Sequence, residues 1–298
     1  MLYTEYGQTG ERVSRMGMGG MRFEAPQDID AMAEVVKRAF DNGVTYFDTA
    51  PGYCDDMSEK IYGAAFQEMK KAGRRFYTAT KTMQAEPDRV RAQCERSLER
   101  LGVDAIDFYH VWALVQPGEL AHRKARGVLD AFRKLKEEGL IRHVCVSTHL
   151  EHGNIGDMLD EGEGLFEGML IGMNAMNYDL RYPGVRQAAQ RGLGVATMNS
   201  LGGGLLPQHE DHFGFIKRPG DRNMVDASLR FNLSVPEVTV ALVGFRRVSD
   251  VDDAIAAVER FEPLERGELR ALRDRMAEET AEFCTQCGYC NVCPNDIP

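Results

Sequence analysis

Eight short apolar runs, rich in β-branched residues, alternate with helix-like stretches along this chain of 298 residues. Most of the runs are apolar on both faces, as the strands of a parallel sheet require. No change in composition marks a second domain before about residue 265. These three observations predict an α/β fold, a (β/α)8 TIM barrel. An open doubly wound sheet is the alternative, because strand counts from one sequence are error-prone.

The predicted elements follow one another in a regular order. Strands are expected at 15–21, 44–50, 76–82, 105–114, 141–149, 168–178, 194–200 and 238–245. Helices are expected at 28–43, 58–69, 87–102, 127–138, 183–191, 224–234 and 249–261, from apolar residues at helical spacing and glycines at helix ends. One further helix and a cysteine-rich segment follow, so we expect a barrel at 1–263 and a C-terminal unit at 264–298.

The overall charge limits the classes of partner. The formal net charge is −10 and the isoelectric point is near 5.3. With no basic face to offset phosphate repulsion, we expect neither a nucleic acid nor an anionic membrane as partner. The N-terminal stretch is polar, and no apolar run approaches the roughly 18 residues of a membrane helix. The sequence therefore predicts a cytoplasmic protein.

Polar side chains stand where several of the predicted strands end. Asp48 and Tyr53 follow the second strand, Lys81 ends the third, and His110 lies on the fourth. Chemistry in a parallel barrel sits at the carboxyl ends of the strands. A lysine in an apolar strand needs a carboxylate partner, and Asp48 is the natural one. A cation beside a phenol stabilises the phenolate, so Tyr53 is a candidate proton donor.

Other interpretations of these residues remain open. A Lys–Asp pair in a barrel mouth is often only structural, and His110 alone is typical of a hydrogen-bonded core histidine. The segment GMGGMR (17–22) is set aside as a dinucleotide fingerprint, because Arg22 occupies the third glycine position and no helix opens there.

Three motifs in this order, FDTAPGYCDDMSEKIYG (47–63), TATKT (78–82) and LERLGVDAIDFYHVW (98–112), resemble the aldo-keto reductase family over roughly residues 10–260. The resemblance implies a (β/α)8 barrel that binds NADPH without a Rossmann motif and reduces an aldehyde or a ketone. It implies Tyr53 as the general acid, with Lys81 and Asp48 tuning it.

The family's fourth catalytic residue is a histidine five positions after the aspartate that corresponds to Asp107. That position is Trp112 here, and His110 lies two residues earlier. His110 shares the strand face of Trp112 but lies about 6–7 Å deeper. Trp112 is expected to cover the nicotinamide or to shape the substrate pocket. A bulge in the strand would restore His110, so its catalytic role stays open.

The resemblance also implies a set of cofactor contacts. Register with the family assigns the nicotinamide side to Ser147, Thr148, Met198 and one amide, either Asn174 or Asn177, and the loop after the seventh strand to the pyrophosphate. After the eighth strand, two arginines are expected to replace the family's 2′-phosphate arginine, whose position is Asp250; alternatively, they are surface charges. This departure leaves open whether the cofactor is NADPH or NADH. The predicted contacts are Ser147, Thr148, Asn174, Asn177, Met198, Leu201, Gly244, Arg246, Arg247 and Asp253.

Four cysteines near the C-terminus, Cys284, Cys287, Cys290 and Cys293, recur at three-residue spacing before a proline. Such a run is typical of ferredoxin loops around an iron–sulfur cluster, whereas zinc sites usually take two separated pairs. We expect one [4Fe-4S] cluster. The segment CTQCGYCNVCPNDIP (284–298) resembles the iron–sulfur branch of the aldo-keto reductases.

The sequence therefore predicts an NAD(P)H-dependent aldo-keto reductase with an appended cluster. The first alternative is an electron-transfer or redox-sensing protein with weakened carbonyl chemistry, served by a redox partner protein. A second is a noncatalytic regulatory subunit. The substrate is expected to be a small carbonyl compound, with specificity set by the segments 54–59, 114–127 and 207–223.

Overall fold

The computed structural model of the protein describes residues 1–280. Eight parallel strands close into a barrel, confirming the predicted fold class. In barrel order they are β3 (Met16–Gly19), β4 (Tyr46–Asp48), β5 (Tyr77–Thr82), β6 (Ile106–Leu114), β7 (Ile141–Thr148), β8 (Gly168–Gly172), β9 (Gly194–Met198) and β10 (Val240–Gly244), and β10 pairs with β3 to complete the ring.

Helices surround the barrel between successive strands. They are α1 (Ile29–Asp41), α2 (Ser58–Lys71), α3 (Pro87–Leu101), α4 (Glu119–Ala125), α5 (Val128–Glu137), α6 (His152–Glu161), α7 (Tyr178–Gln190), α8 (Leu205–Gln208), α9 (Glu210–Phe213), α10 (Met224–Ser234) and α11 (Val248–Glu259). None of the helices within residues 1–280 is long and apolar enough to cross a bilayer.

The last described helix, α12 (Arg266–Thr280), follows the barrel. Its Met276 is buried among residues of the loops that follow β8 and β9, such as Met176 and Leu206. Helix α12 therefore covers part of the barrel's loop face. The predicted boundary between a barrel at 1–263 and a C-terminal unit at 264–298 stays a prediction.

Two predicted elements differ from the structure around β8. The predicted strand 168–178 ends at Gly172, because Asn174 opens a capping box on a 3-10 turn, Ala175–Asn177. The predicted helix 183–191 begins earlier, at Tyr178, with Pro183 inside it. A proline inside a helix removes a donor and weakens the helical signal of the sequence.

An N-terminal hairpin, absent from the prediction, closes the bottom of the barrel. Strands β1 (Tyr3–Glu5) and β2 (Arg12–Ser14) pair antiparallel, and Tyr6 follows the first. The Tyr6 ring lies 4.4 Å from that of Phe108 and 5.7 Å from that of Tyr46. A Cβ at Gly194 would approach Tyr6 to 2.2 Å, so glycine is required for this fit. The inner core is thus apolar below and polar above.

Candidate active site

A buried ion pair occupies the mouth of the barrel. Asp48 ends β4 and Lys81 lies near the end of β5, so parallel pairing brings the two side chains to the same end of the barrel. Lys81 Nζ donates to Asp48 Oδ1 at 2.6 Å and to Oδ2 at 2.8 Å. Both side chains are buried. The predicted pairing of these two residues is present in the structure.

The two charges depend on each other. Burial raises the pKa of Asp48, and the neighbouring Lys81 opposes that shift. Burial likewise lowers the pKa of Lys81, opposed by Asp48. Each group therefore keeps its charge through the other, and removing one would leave an uncompensated group in an apolar interior.

Tyr53 lies between this pair and Trp112. Lys81 Nζ is 5.4 Å from the centroid of the Tyr53 ring. The ring of Trp112 meets that of Tyr53 edge-on, with centroids 5.7 Å apart and planes at 86°. Both aromatic rings are half-buried, whereas Lys81 is fully enclosed. The structure thus brings Asp48, Tyr53, Lys81 and Trp112 together, and Tyr53 faces the accessible side.

The loop that carries Tyr53 has an unusual backbone. Cys54, Asp55 and Asp56 have φ values of 53°, 55° and 66°, in the left-handed region that costs non-glycine residues about 1–2 kcal/mol each. Arg100 of α3 holds this loop by donating from Nη1 and Nη2 to Asp56 at 2.7 and 2.6 Å. The loop therefore adopts its conformation only with outside support.

His110 is enclosed inside the barrel beside Lys81, its partner in strand pairing. Its side chain is 0% exposed, and Nδ1 donates to the carbonyl of Thr80 at 3.1 Å. Burial and the charge of Lys81 lower the pKa of His110 to about 3, so the imidazole is neutral. A bulge occurs in β6, but it follows His110, between Val111 and Leu114. The catalytic role of His110 therefore stays a prediction.

Ser147 and Thr148 end β7 but use their hydroxyl groups differently. The Thr148 hydroxyl donates to Leu114 O at 2.9 Å and accepts from Leu150 N at 3.0 Å. Ser147 Oγ is buried and has no hydrogen-bond partner within residues 1–280. Thr148 therefore joins β6 to β7, whereas Ser147 retains an unused polar atom in the barrel.

The two asparagines predicted to contact the cofactor bind backbone groups after β8 and β9. Asn174 accepts from Met176 N at 2.9 Å and donates to Asn199 O at 3.0 Å. Asn177 accepts from Asn174 N at 2.9 Å and donates to Gly172 O at 3.4 Å. The bonds from Met176 N and Asn174 N form the cap of the 3-10 turn after β8, whereas the bond to Asn199 O joins that turn to the loop after β9.

A glycine turn follows β9 and approaches Arg22. Met198 ends the strand half-buried, and Leu201 precedes the 3-10 turn Gly202–Gly204, whose glycines have φ values of 62°, 68° and 105°. A Cβ at Gly203 would lie 3.9 Å from Arg22 Nη2. Arg22, which we did not predict as a functional residue, thus reaches across to this turn.

Arg22 also packs on the end of β10. A Cβ at Gly244 would approach Arg22 Cγ to 2.6 Å, which explains the glycine there. Within residues 1–280, neither Arg22 nor the exposed Arg246 takes part in an ion pair, whereas Arg247 Nε lies 3.6 Å from Asp250 Oδ1. No sequence motif marked Arg22; its position after β3, the strand that pairs with β10, was the available signal.

Asp253 lies on the outer face of α11. Its carboxylate is 3.9 Å from Arg222 Nη1, and its carbonyl accepts from Arg222 Nη2 at 3.0 Å. The residue is exposed and already faces a cation, so it is occupied in joining α11 to the segment before α10.

No group of three or more metal-binding side chains converges within residues 1–280. The predicted cluster ligands Cys284, Cys287, Cys290 and Cys293 lie outside the described residues.

Comparisons with known proteins agree with this geometry. L-galactose dehydrogenase from Arabidopsis thaliana is 28% identical over 289 residues, covering 87% of this chain and 88% of that protein. Aldo-keto reductase YhdN from Bacillus subtilis is 34% identical over 165 residues, covering 50% and 47% of the two chains.

Solved structures share the fold. An aldo-keto reductase from Bacillus halodurans superposes with a TM-score of 0.78 at 20% identity, covering 93% of this chain and 96% of that one. An aldo/keto reductase from Klebsiella pneumoniae in complex with NADP and acetate gives 0.74 at 22% identity, covering 92% and 94%. The model of the aldo/keto reductase family matches residues 15–274 of this chain. The protein is therefore an oxidoreductase that belongs to the aldo/keto reductase family.

Proposed function

We propose that the protein uses NAD(P)H to reduce an aldehyde or a ketone, with Tyr53 as the general acid. The observation that carries this proposal is the Lys81–Asp48 pair against the Tyr53 ring, with Lys81 Nζ 5.4 Å from the ring centroid. A positive charge at this distance stabilises the phenolate that remains after the hydroxyl proton moves to the carbonyl oxygen. Asp48 keeps that charge in place.

The mouth offers suitable groups for a nicotinamide cofactor, which supplies the hydride when bound. The buried Ser147 Oγ lacks a partner among the described residues and would accept or donate to a carboxamide. Arg22 borders the glycine turn after β9, where backbone can approach a pyrophosphate closely. Met198 and Leu201 would line the nicotinamide side, while Thr148, Asn174 and Asn177 would support that surface through the backbone bonds described above.

We further propose NADPH as the preferred cofactor. Arg246 is exposed after β10 and outside any ion pair in the described part of the chain, so it is available to a 2′-phosphate. Arg247 is drawn toward Asp250 and would contribute less. The Klebsiella relative that binds NADP supports this choice. If Arg246 binds the 2′-phosphate, Arg246→Ala should raise KM for NADPH and leave KM for NADH unchanged.

We also propose that Cys284, Cys287, Cys290 and Cys293 bind one [4Fe-4S] cluster, which places the chain in the iron–sulfur branch of its family. The support is the cysteine spacing alone. A cluster and free buried thiols suit a reducing compartment, so the proposal includes a cytoplasmic location and a protein that exchanges electrons with the cluster. Anaerobic purification with iron and sulfide analysis tests it, and zinc or no metal would contradict it.

Replacement of Tyr53 tests the catalytic proposal. Tyr53→Phe removes the hydroxyl and should abolish turnover of every carbonyl compound reduced by the wild type, while NADPH binding persists. The panel includes sugars, because the Arabidopsis relative is named for L-galactose. The matched control is Tyr3→Phe, which removes a hydroxyl from the N-terminal hairpin at the bottom of the barrel. Undiminished turnover by Tyr53→Phe would refute the proposal.

The second candidate function is electron transfer or redox sensing. The specific observation in its favour is Trp112 at the position of the family's histidine, which leaves Tyr53 as the one proton donor proposed here. Mixing the anaerobic protein with NADPH and recording spectra separates the two candidates. Cluster bleaching by NADPH without any carbonyl reduction would favour electron transfer over the reductase.

A further inference from the structure

The bulge in β6 presents Trp112 to the active site. Val111 pairs with Val146 and Leu114 pairs with Thr148, so Trp112 and Ala113 together stand opposite the single residue between them on β7. Ala113 has a φ of 59°. A bulge of this kind re-aims a side chain, and a left-handed alanine persists only where surrounding structure holds it.

One short helix holds both sides of this bulge. Arg123 of α4 donates from Nη1 to the carbonyl of Trp112 at 2.7 Å, and its side chain is only 9% exposed. On the same helix, Glu119 accepts from Val115 N at 2.6 Å and from Gln116 N at 3.2 Å. The Arg123 guanidinium thus binds the strand just before Ala113, and the Glu119 carboxylate binds the chain just after it.

The Tyr53 ring contacts both Lys81 and Trp112. Lys81 Nζ lies 5.4 Å from its centroid, and the Trp112 ring meets it edge-on with centroids 5.7 Å apart. Its own loop contains three consecutive left-handed residues. Lys81 is held by the barrel strands, whereas the backbone of Trp112 is held by a helix outside the barrel.

We propose that Arg123 is a positioning residue for the reaction, acting through the carbonyl of Trp112 to hold the Trp112 ring against Tyr53. The inference rests on the proposed role of Tyr53 as the acid. Arg123 acts on the backbone of Trp112, to which it donates. Its loss should leave the acid chemically intact but poorly oriented, and small displacements of reacting groups cost catalysis steeply.

The chain offers a direct readout, because Trp112 is its only tryptophan. Arg123→Met keeps the aliphatic stem but removes the donors. We expect its fluorescence to shift to longer wavelength, its quenching by acrylamide to increase, and kcat to fall about tenfold or more with KM for NADPH unchanged. Arg123→Lys, which restores a cationic donor, should recover most of both signals.

Lys124→Met is the matched control. Lys124 is the next residue of α4 and binds Glu163 on the surface at 2.7 Å, so its loss should change neither emission nor kcat. If Arg123→Met does not fold, Arg123→Gln, whose side chain is too short to span the same gap, takes its place and should give the same two changes.

Two outcomes would overturn the inference. Unchanged Trp112 emission in the Arg123 variants would show that the carbonyl contact does not hold the ring. A shifted emission with unchanged kcat would show that the ring's position does not matter for Tyr53. Failure of the acid assignment is distinguished by Tyr53→Phe, which keeps an aromatic ring beside Trp112 and tests turnover alone.

Discussion

The two sides of the barrel mouth are built differently. On the side of β4 to β6, charged and aromatic side chains converge on one point, where Lys81, Asp48 and Tyr53 meet. On the side of β8 to β10, the amides of Asn174 and Asn177 bind backbone groups of the loops, and glycines leave the backbone open beside Arg22. Proton transfer needs particular side chains, whereas binding of a long cofactor uses backbone and shape.

The strongest test of the first side removes one partner of the ion pair. Lys81→Met leaves Asp48 buried without a counter-charge, so we expect the free energy of unfolding in urea to fall by about 3–5 kcal/mol. Activity should be lost with it. The double variant Lys81→Met with Asp48→Leu replaces the pair by apolar groups, and it should regain most of the stability while remaining inactive.

This double variant separates the two roles of the pair. Recovery of stability without activity would show that the Lys81–Asp48 pair is needed for catalysis and not for folding. A double variant as unstable as Lys81→Met alone would contradict that interpretation, and so would a single variant as stable as the wild type.

The next effect concerns His110 and pH. A histidine titrates at about 6.5 in the unfolded chain, whereas burial lowers its pKa here to about 3. Between these values the unfolded chain binds a proton that the folded protein does not, so the free energy of unfolding falls as pH decreases. The loss from His110 between pH 7.5 and pH 5 is about 2 kcal/mol. Urea unfolding of the wild type and His110→Asn at both pH values measures it.

Other acid-sensitive groups contribute equally to the two proteins in that comparison. His149, for example, has a pKa lowered to about 4 by burial and the charge of Arg181. The His110 contribution is therefore the difference between the two pH dependences. If the free energy of unfolding changed equally with pH in wild type and variant, His110 would not be held neutral in the folded protein.

The neighbours Ser147 and Thr148 allow a finer comparison of structural and binding roles. Thr148→Val should lower the free energy of unfolding by about 1–2 kcal/mol, because Leu150 N loses its partner. Ser147→Ala should not destabilise the protein, since its hydroxyl has no partner within residues 1–280, but it should raise KM for the cofactor. Loss of stability in Ser147→Ala together with a raised KM in Thr148→Val would mean that Ser147 is the structural residue and Thr148 the binding residue.

The smallest expected effect lies on the cofactor side. A Cβ at Gly244 would meet Arg22 Cγ at 2.6 Å and Arg22 Cβ at 3.1 Å, at the base of that side chain, so Gly244→Ala should displace Arg22 as a whole. We expect KM for NADPH to rise a few-fold with kcat unchanged, whereas Gly267→Ala, at a helical glycine with open space around it, should leave KM unchanged. An unaltered KM in Gly244→Ala would remove Arg22 from the cofactor site.

The same contrast explains how much the sequence could predict. The barrel and the Asp48–Lys81 pair follow from alternating apolar runs and from charges placed where a core would exclude them. Arg22 escaped prediction because its role depends on strands more than 200 residues apart meeting at the closure of the ring. The amides of Asn174 and Asn177 were assigned from register, which does not reveal the capping bonds that such side chains also form.

His110 illustrates a different limit. The sequence placed it on the inner face of its strand, and the structure agrees. Whether it takes the position of the family's histidine depended on where one extra residue lies in β6. The bulge falls after His110 at Ala113, an ordinary residue that carries no turn signal, and only pairing with β7 reveals it.

The closure of the ring between β3 and β10 has a consequence for synthesis on the ribosome. The first barrel strand, β3, can pair with β10 only after residue 244 has been synthesised. Likewise, Tyr6 can pack at the bottom of the barrel only after Gly194 has been synthesised. Contacts so distant along the chain form slowly. During translation the earliest segment is therefore the last to be placed, and its exposed apolar side chains are a natural target for chaperones that bind nascent chains.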